Sequence, residues 1–173
     1  MKRLIVICAV IALLVQGYAR ADTWTTLIYP GAKETQAMGI SGSSIVGYYA
    51  GASYQFHGFL YTGTSWTALD YPGAMWTNVY SISGNSIVGT YADSSSQRHG
   101  FLYNGTSWTT LNNYPGGTRT EALGISGNSI VGTYTDNSGT VGHSFLYTIP
   151  EPATAFMFVM GTVMLKRKFK VQN

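Results

Sequence analysis

The sequence predicts an all-β fold built from three four-stranded repeats of about 42 residues, and two observations predict it. The first is a tandem pattern: Trp24, Trp66 and Trp108 stand 42 and 42 residues apart and carry the same motifs downstream. The second is composition, with only 10% of the 173 residues charged, 14% aromatic and 21 glycines. Aromatic and threonine side chains fit a pleated surface and glycine permits positive φ, so this mix favours short strands and tight turns. A helical bundle would need far more Ala, Glu and Lys.

Each unit opens on a Trp-Thr-x-Leu segment: Trp24-Thr25-Thr26-Leu27, Trp66-Thr67-Ala68-Leu69 and Trp108-Thr109-Thr110-Leu111. Its alternation reads as a half-buried strand. Tyr-Pro-Gly follows at Tyr29, Tyr71 and Tyr114, a turn in which Pro fixes φ and Gly supplies the permissive position. A second strand runs into Ile-Ser-Gly at Ile40, Ile82 and Ile125. Gly42-Ser43, Gly84-Asn85 and Gly127-Asn128 then mark a tight hairpin into Ser-Ile-Val-Gly at Ser44, Ser86 and Ser129. A polar loop leads to the last strand, His-Gly-Phe-Leu-Tyr at His57 and His99 and His-Ser-Phe-Leu-Tyr at His143. The third copy carries one extra residue before Tyr114 and another before His143.

The repeats are drawn at 23–64, 65–106 and 107–149 within a domain of 22–149. Four strands in this length make one propeller blade; a β-trefoil or β-prism is the alternative. The pattern resembles the extracellular HAF repeat, although His-Gly-Phe or His-Ser-Phe stands where that family has His-Ala-Phe. The resemblance implies an exported repeat protein and supplies no reaction. Each Phe-Leu-Tyr strand is expected to hairpin onto the following Trp strand. Phe145-Leu146-Tyr147 has no Trp strand after it and Trp24 has no partner before it. Three blades are too few for a propeller, so the chain forms an open arc, pairs with a second copy as a homo-oligomer, or adopts the threefold alternative.

Both ends read as addresses. Met1-Lys2-Arg3 and the apolar run from Leu4 to Val15 precede Ala19-Arg20-Ala21, which places small residues where a signal peptidase reads. Residues 1–21 are thus expected to form a signal helix removed before Asp22. Cys8, the one cysteine, lies inside the apolar run rather than after it, so it does not fit a lipidation site, and the mature body can form no internal disulfide.

Residues 150–173 read as a sorting tail. Pro150-Glu151-Pro152 holds the chain extended and open to a processing enzyme. An uncharged run from Ala153 to Leu165 follows, closed by Lys166, Arg167, Lys168 and Lys170. The run can enter a bilayer as a short helix while the basic cluster stays cytoplasmic. As a helix it rises ~20 Å against a hydrocarbon core of ~30 Å, a gap that snorkelling and local thinning narrow. The order of these parts closely resembles the PEP-CTERM sorting signal of Gram-negative bacteria. That resemblance implies recognition by a membrane exosortase, transient inner-membrane insertion, delivery to the periplasm, cell surface or extracellular matrix, and association with exopolysaccharide.

The formal charge of +3 misleads as a guide to partners. Between the two addresses only Lys33, Arg98 and Arg119 are basic, against Asp22, Glu34, Asp70, Asp93, Glu121 and Asp136. A mildly acidic body without a basic stripe is not a nucleic-acid binder.

Candidate chemistry is sparse. His57, His99 and His143 recur once per unit and could in principle converge on a metal. A residue repeated with the scaffold serves the scaffold, and these are read as structural histidines bonding the turn before Phe-Leu-Tyr. Asp93 and Asp136 lie in polar loops without EF-hand spacing and are read as solvated. The two body glutamates, Glu34 and Glu121, differ in repeat register, and no Gly-x-Ser-x-Gly elbow occurs. Tyr48, Tyr49, Tyr91 and Tyr134 could stack on sugars, but their placement after Val-Gly favours cross-strand packing. No catalytic residue, cofactor or metal site is assigned. The expectation is a non-catalytic surface protein; a carbohydrate-binding module is the alternative, and a polysaccharide-cleaving enzyme is the reading with least support.

Overall fold

The computed structural model describes residues 22–111, 117–136, 139 and 141–150. The expected signal helix, the tail beyond Pro150 and the third Tyr-Pro-Gly, Tyr114 to Gly116, lie outside the described residues. Among the described residues every regular element is a strand, and no helix is long and apolar enough to cross a membrane.

The all-β expectation holds. Strands β1 (Glu34–Ser41), β2 (Ser44–Ala50), β3 (Phe56–Tyr61) and β4 (Trp66–Ala68) form one antiparallel sheet in chain order. Strands β5 (Trp76–Ser83), β6 (Ser86–Ala92), β7 (Arg98–Tyr103) and β8 (Trp108–Leu111) form a second of the same order. Strands β9 (Gly117–Ser126), β10 (Ser129–Asp136) and β11 (Gly142–Thr148) form a third, three-stranded sheet. The described strands close no barrel of the kind a trefoil would need.

Local chemistry explains the turns. Ser41 pairs with Ser44 and Ser83 with Ser86, which leaves the two-residue loops Gly42-Ser43 and Gly84-Asn85. The glycines take φ of 60° and 58°, a positive φ at the first central position that marks the type II′ hairpin and matches strand twist. Tyr29-Pro30-Gly31-Ala32 and Tyr71-Pro72-Gly73-Ala74 are type II turns. Ala32 and Ala74 donate to the carbonyls of Tyr29 and Tyr71 at 3.0 and 3.1 Å, with Pro at the second position and a positive-φ Gly at the third. Thr35 and Thr77 fasten these turns to the next strand, each hydroxyl accepting the tyrosine N–H at 3.0 Å.

The first strand of every sheet carries a bulge at the same place, skipping Met38, Tyr80 or Leu123. The bulge swings a carbonyl over the glycine of Ser-Ile-Val-Gly. A Cβ at Gly47, Gly89 or Gly132 would run into the backbone oxygen of Gln36, Asn78 or Glu121 respectively. At Gly89 and Gly132 the phenylalanine of the following strand, Phe101 or Phe145, also lies over the bare Cα. No larger residue fits this crossing.

The sheets stack in series. β5 packs on β1, β2 and β3, and β9 packs on β5, β6 and β7. One core lies between the first two sheets, with Val46 and Leu60 of the first against Val79, Ile82, Ile87, Tyr91 and Phe101 of the second. The other sets Val88, Leu102 and Leu111 against Ala122, Ile125, Ile130 and Phe145. The serine of Ile-Ser-Gly bonds each sheet to the next: Ser41 Oγ accepts from Gly84 N–H and Ser83 Oγ from Gly127 N–H, both at 3.1 Å.

The Phe-Leu-Tyr strands pair with the following Trp strands as expected, through Tyr61–Trp66 and Tyr103–Trp108. Each of the first two sheets therefore borrows its outer strand from the next sequence unit. Trp24-Thr25-Thr26-Leu27, expected as a strand, forms none, and Trp24 is 98% exposed. The physical reason is pairing: residues 1–23 contain no Phe-Leu-Tyr motif like those that β4 and β8 pair with.

Candidate functional site

One histidine stands second in each of β3, β7 and β11, and each faces a tyrosine across the ladder: His57–Tyr49, His99–Tyr91 and His143–Tyr134. The ring pairs are nearly superposable, with centroids 5.2, 5.2 and 5.1 Å apart. In the first two sheets the Tyr-Pro-Gly tyrosine adds a third ring. Tyr29 stacks on Tyr49 and Tyr71 on Tyr91, both at 3.7 Å and within 6° of parallel. Trp66 and Trp108 meet Tyr29 and Tyr71 edge-on. These are packing ladders. Tyr91 is only 8% exposed, and its hydroxyl pairs with Thr110 at 3.1 Å, so it has no face to offer a sugar. Burial pushes the Tyr49 and Tyr91 phenols above their ordinary range, with the neighbouring Tyr29 and Tyr71 adding to it. Tyr48 is shifted the same way, first by burial and then by Tyr80 and Glu34.

The histidines do not all bond the preceding turn. His99 Nε2 meets Asp93 Oδ2 at 3.0 Å, inside the loop before its strand. His57 Nδ1 instead meets Asp70 Oδ2 at 2.9 Å, beyond the Trp strand. The reason is composition: the first loop has Gly51 where the second has Asp93. Asp93 also caps its own loop, its Oδ1 accepting from Ser95 and Gln97 N–H at 2.8 and 3.0 Å. The His99 hydrogen bond, followed by that from Gln97, holds the Asp93 carboxyl below its ordinary value. Among the described residues no three His, Cys, Asp or Glu side chains converge as metal ligands.

The remaining charges gather at the seam between the second and third sheets. Arg98 on β7 and Arg119 on β9 both reach Glu121 Oε1, at 3.0 and 3.1 Å. Arg98 also lies over the Trp76 ring at 5.3 Å. A polar cleft of about 400 Å³ opens beside them, walled by Ser96, Gln97, Thr118 and Thr135. Sequence reading missed this cluster, because Arg98 comes from another unit. Its one legible signal was Arg119 and Glu121, two apart on a strand and so on one face.

Of the processing residues, Pro150 is exposed just past Ile149, whose N–H donates to Asn128 at 2.8 Å. Ala19, Ala21, Glu151, Pro152, Lys166, Arg167, Lys168 and Lys170 lie outside the described residues. Comparison with protein-family models, with curated proteins and with solved structures finds no match.

Proposed function

We propose that this chain is an exported, non-catalytic repeat protein of the cell surface or extracellular matrix of a Gram-negative bacterium. A signal peptidase removes its leader, an exosortase reads its tail during transient inner-membrane insertion, and the body associates with exopolysaccharide. The three sheets serve as propeller-like blades that pack on one another. The observation carrying this reading is the tail: Pro150-Glu151-Pro152, an uncharged run and a basic end in that order. Exposed Pro150 directly after the last strand supports it, because a processing enzyme needs an accessible extended segment. The test is intact-mass analysis of the exported protein. Loss of residues 1–21 and of the segment beyond Pro152 is expected, and a retained basic tail overturns the sorting proposal.

A carbohydrate-binding module is the second reading. Tyr91, buried in its ladder, lends it nothing, but the Arg98–Arg119 cleft does. Two guanidiniums sharing one carboxylate leave a net positive charge that an acidic sugar would match. Retention on an acidic-polysaccharide column that Arg98→Ala and Arg119→Ala abolish would favour it.

A further inference from the structure

Each internal sheet junction joins the rear of one sheet to the front of the next. The rear is marked by a valine–leucine pair: Val46–Leu60 in the first sheet, Val88–Leu102 in the second and Val131–Leu146 in the third. In the first two sheets the next sheet covers this pair, and Val46 and Val88 are fully buried. In the third, Val131 is 50% and Leu146 68% exposed. The front is marked by the isoleucines of Ile-Ser-Gly and Ser-Ile-Val-Gly. Ile82 and Ile87 are buried under the first sheet, and Ile130 lies under the second. On the front of the first sheet Ile40, the counterpart of Ile82, is 68% exposed, and Ile45, the counterpart of Ile87 and Ile130, is half-buried. The chain thus leaves open the two halves of a junction that it makes twice internally.

Three further features fit these halves together. The rear glycines Gly58 and Gly100 admit the next sheet, and a Cβ at Gly100 would sit 3.3 Å from Ala122 N. The third sheet has Ser144 at this position, and the first sheet presents the small Ala37 where the second has Val79. The serine link also has an unused repeat, since Ser126 and Gly42 correspond to Ser83 and Gly127 at opposite ends of the chain. Finally, β3 and β7 each take a Trp strand, whereas β11 pairs with β10 alone among the described strands, and Trp24 stands exposed in a matching Trp-Thr-x-Leu segment.

We infer that a second copy of this chain occupies both open halves, head to tail. Its first sheet covers Val131 and Leu146, and its Trp24 segment adds as fourth strand beside β11. Such a heterologous contact closes into a ring when the rotation permits. Two copies make six sheets, within the roughly four to eight of closed propellers, whereas three would make nine. This inference does not rest on the sorting tail.

Sedimentation velocity of the exported protein across a dilution series tests it. A two-chain mass is expected, falling to the single-chain mass in the Val131→Glu/Leu146→Glu variant with an unchanged β circular dichroism spectrum. Both sites are exposed in the single chain, so the substitutions should leave its fold intact. A second readout uses the cysteine-free mature body. Trp24→Cys protein mixed with Tyr147→Cys protein should form a disulfide-linked pair on a non-reducing gel, as the Tyr61–Trp66 and Tyr103–Trp108 neighbours predict. A single-chain mass at every concentration, or a two-chain mass untouched by the double glutamate variant, overturns the inference.

Discussion

Gly89 and Phe101 face each other across β6 and β7, and a Cβ at Gly89 would lie 2.8 Å from Cζ of the ring. The same Cβ would strike the Asn78 carbonyl oxygen that the β5 bulge turns inward. Gly89→Ala is therefore expected to destabilise the body by about 3 kcal/mol through overpacking. Gly142, with nothing near its missing Cβ and no positive φ, is the control. Gly142→Ala should stay within about 0.5 kcal/mol of the parent in urea unfolding.

Thr90 makes the opposite prediction. It is buried in β6, and its hydroxyl has no hydrogen-bond partner among the described residues, like Asn78 Oδ1 nearby. Thr90→Val keeps the shape and removes the unpaired polar atom, so it should stabilise by about 1 kcal/mol. A lowered unfolding midpoint in urea would refute this account of the site.

Asp93 sets a pH dependence. Its folded carboxyl titrates below the ordinary value, so its contribution is present above that value and disappears as pH falls through the depressed one. The Ser95 and Gln97 amides, which donate to it, should be protected relative to their intrinsic exchange rates at neutral pH, and that protection factor should fall in acid. In Asp93→Asn their protection should be reduced at neutral pH and lose most of its acid dependence, as hydrogen exchange would report.

The stacked tyrosines respond at the other end of the scale. Tyr49 and Tyr91 have raised folded values, so their contribution is complete below the unfolded phenol value of about 10 and is lost as pH rises through the folded one. Absorbance at roughly 295 nm should show part of the tyrosine complement un-ionised above pH 10, compared with urea-unfolded protein. Ionisation of the remainder should coincide with loss of the β signal.

Much of the fold was legible because its punctuation is local. Tyr-Pro-Gly, Ile-Ser-Gly and Phe-Leu-Tyr each fix a turn or strand within a few residues, and two of the Trp strands pair where the motif order placed them. The rest depends on distant partners. Trp24 has the same motif as Trp66 but pairs with no described strand, so matching motifs give a strand in one place and none in the other. The His57–Asp70 and His99–Asp93 pairs differ because loop composition changes between units. Arg98 and Glu121 lie 23 residues apart and meet only because one sheet stacks on the next. The glycine of Ser-Ile-Val-Gly was read as part of a motif, while its cause, a bulge in the preceding strand, lies outside that motif.

In-series stacking also bears on how the chain acquires its shape. Each ladder joins segments adjacent in sequence, and each core needs only the sheet that follows, so few long loops must close before contacts form. For a polypeptide emerging end-first, β1 to β4 can pair as soon as Ala68 is out, and their valine–leucine face gains its cover once β5 and β6 follow. Among the described strands none comes after the third sheet, so Val131 and Leu146 are the greasy surface still without shelter once β11 has paired.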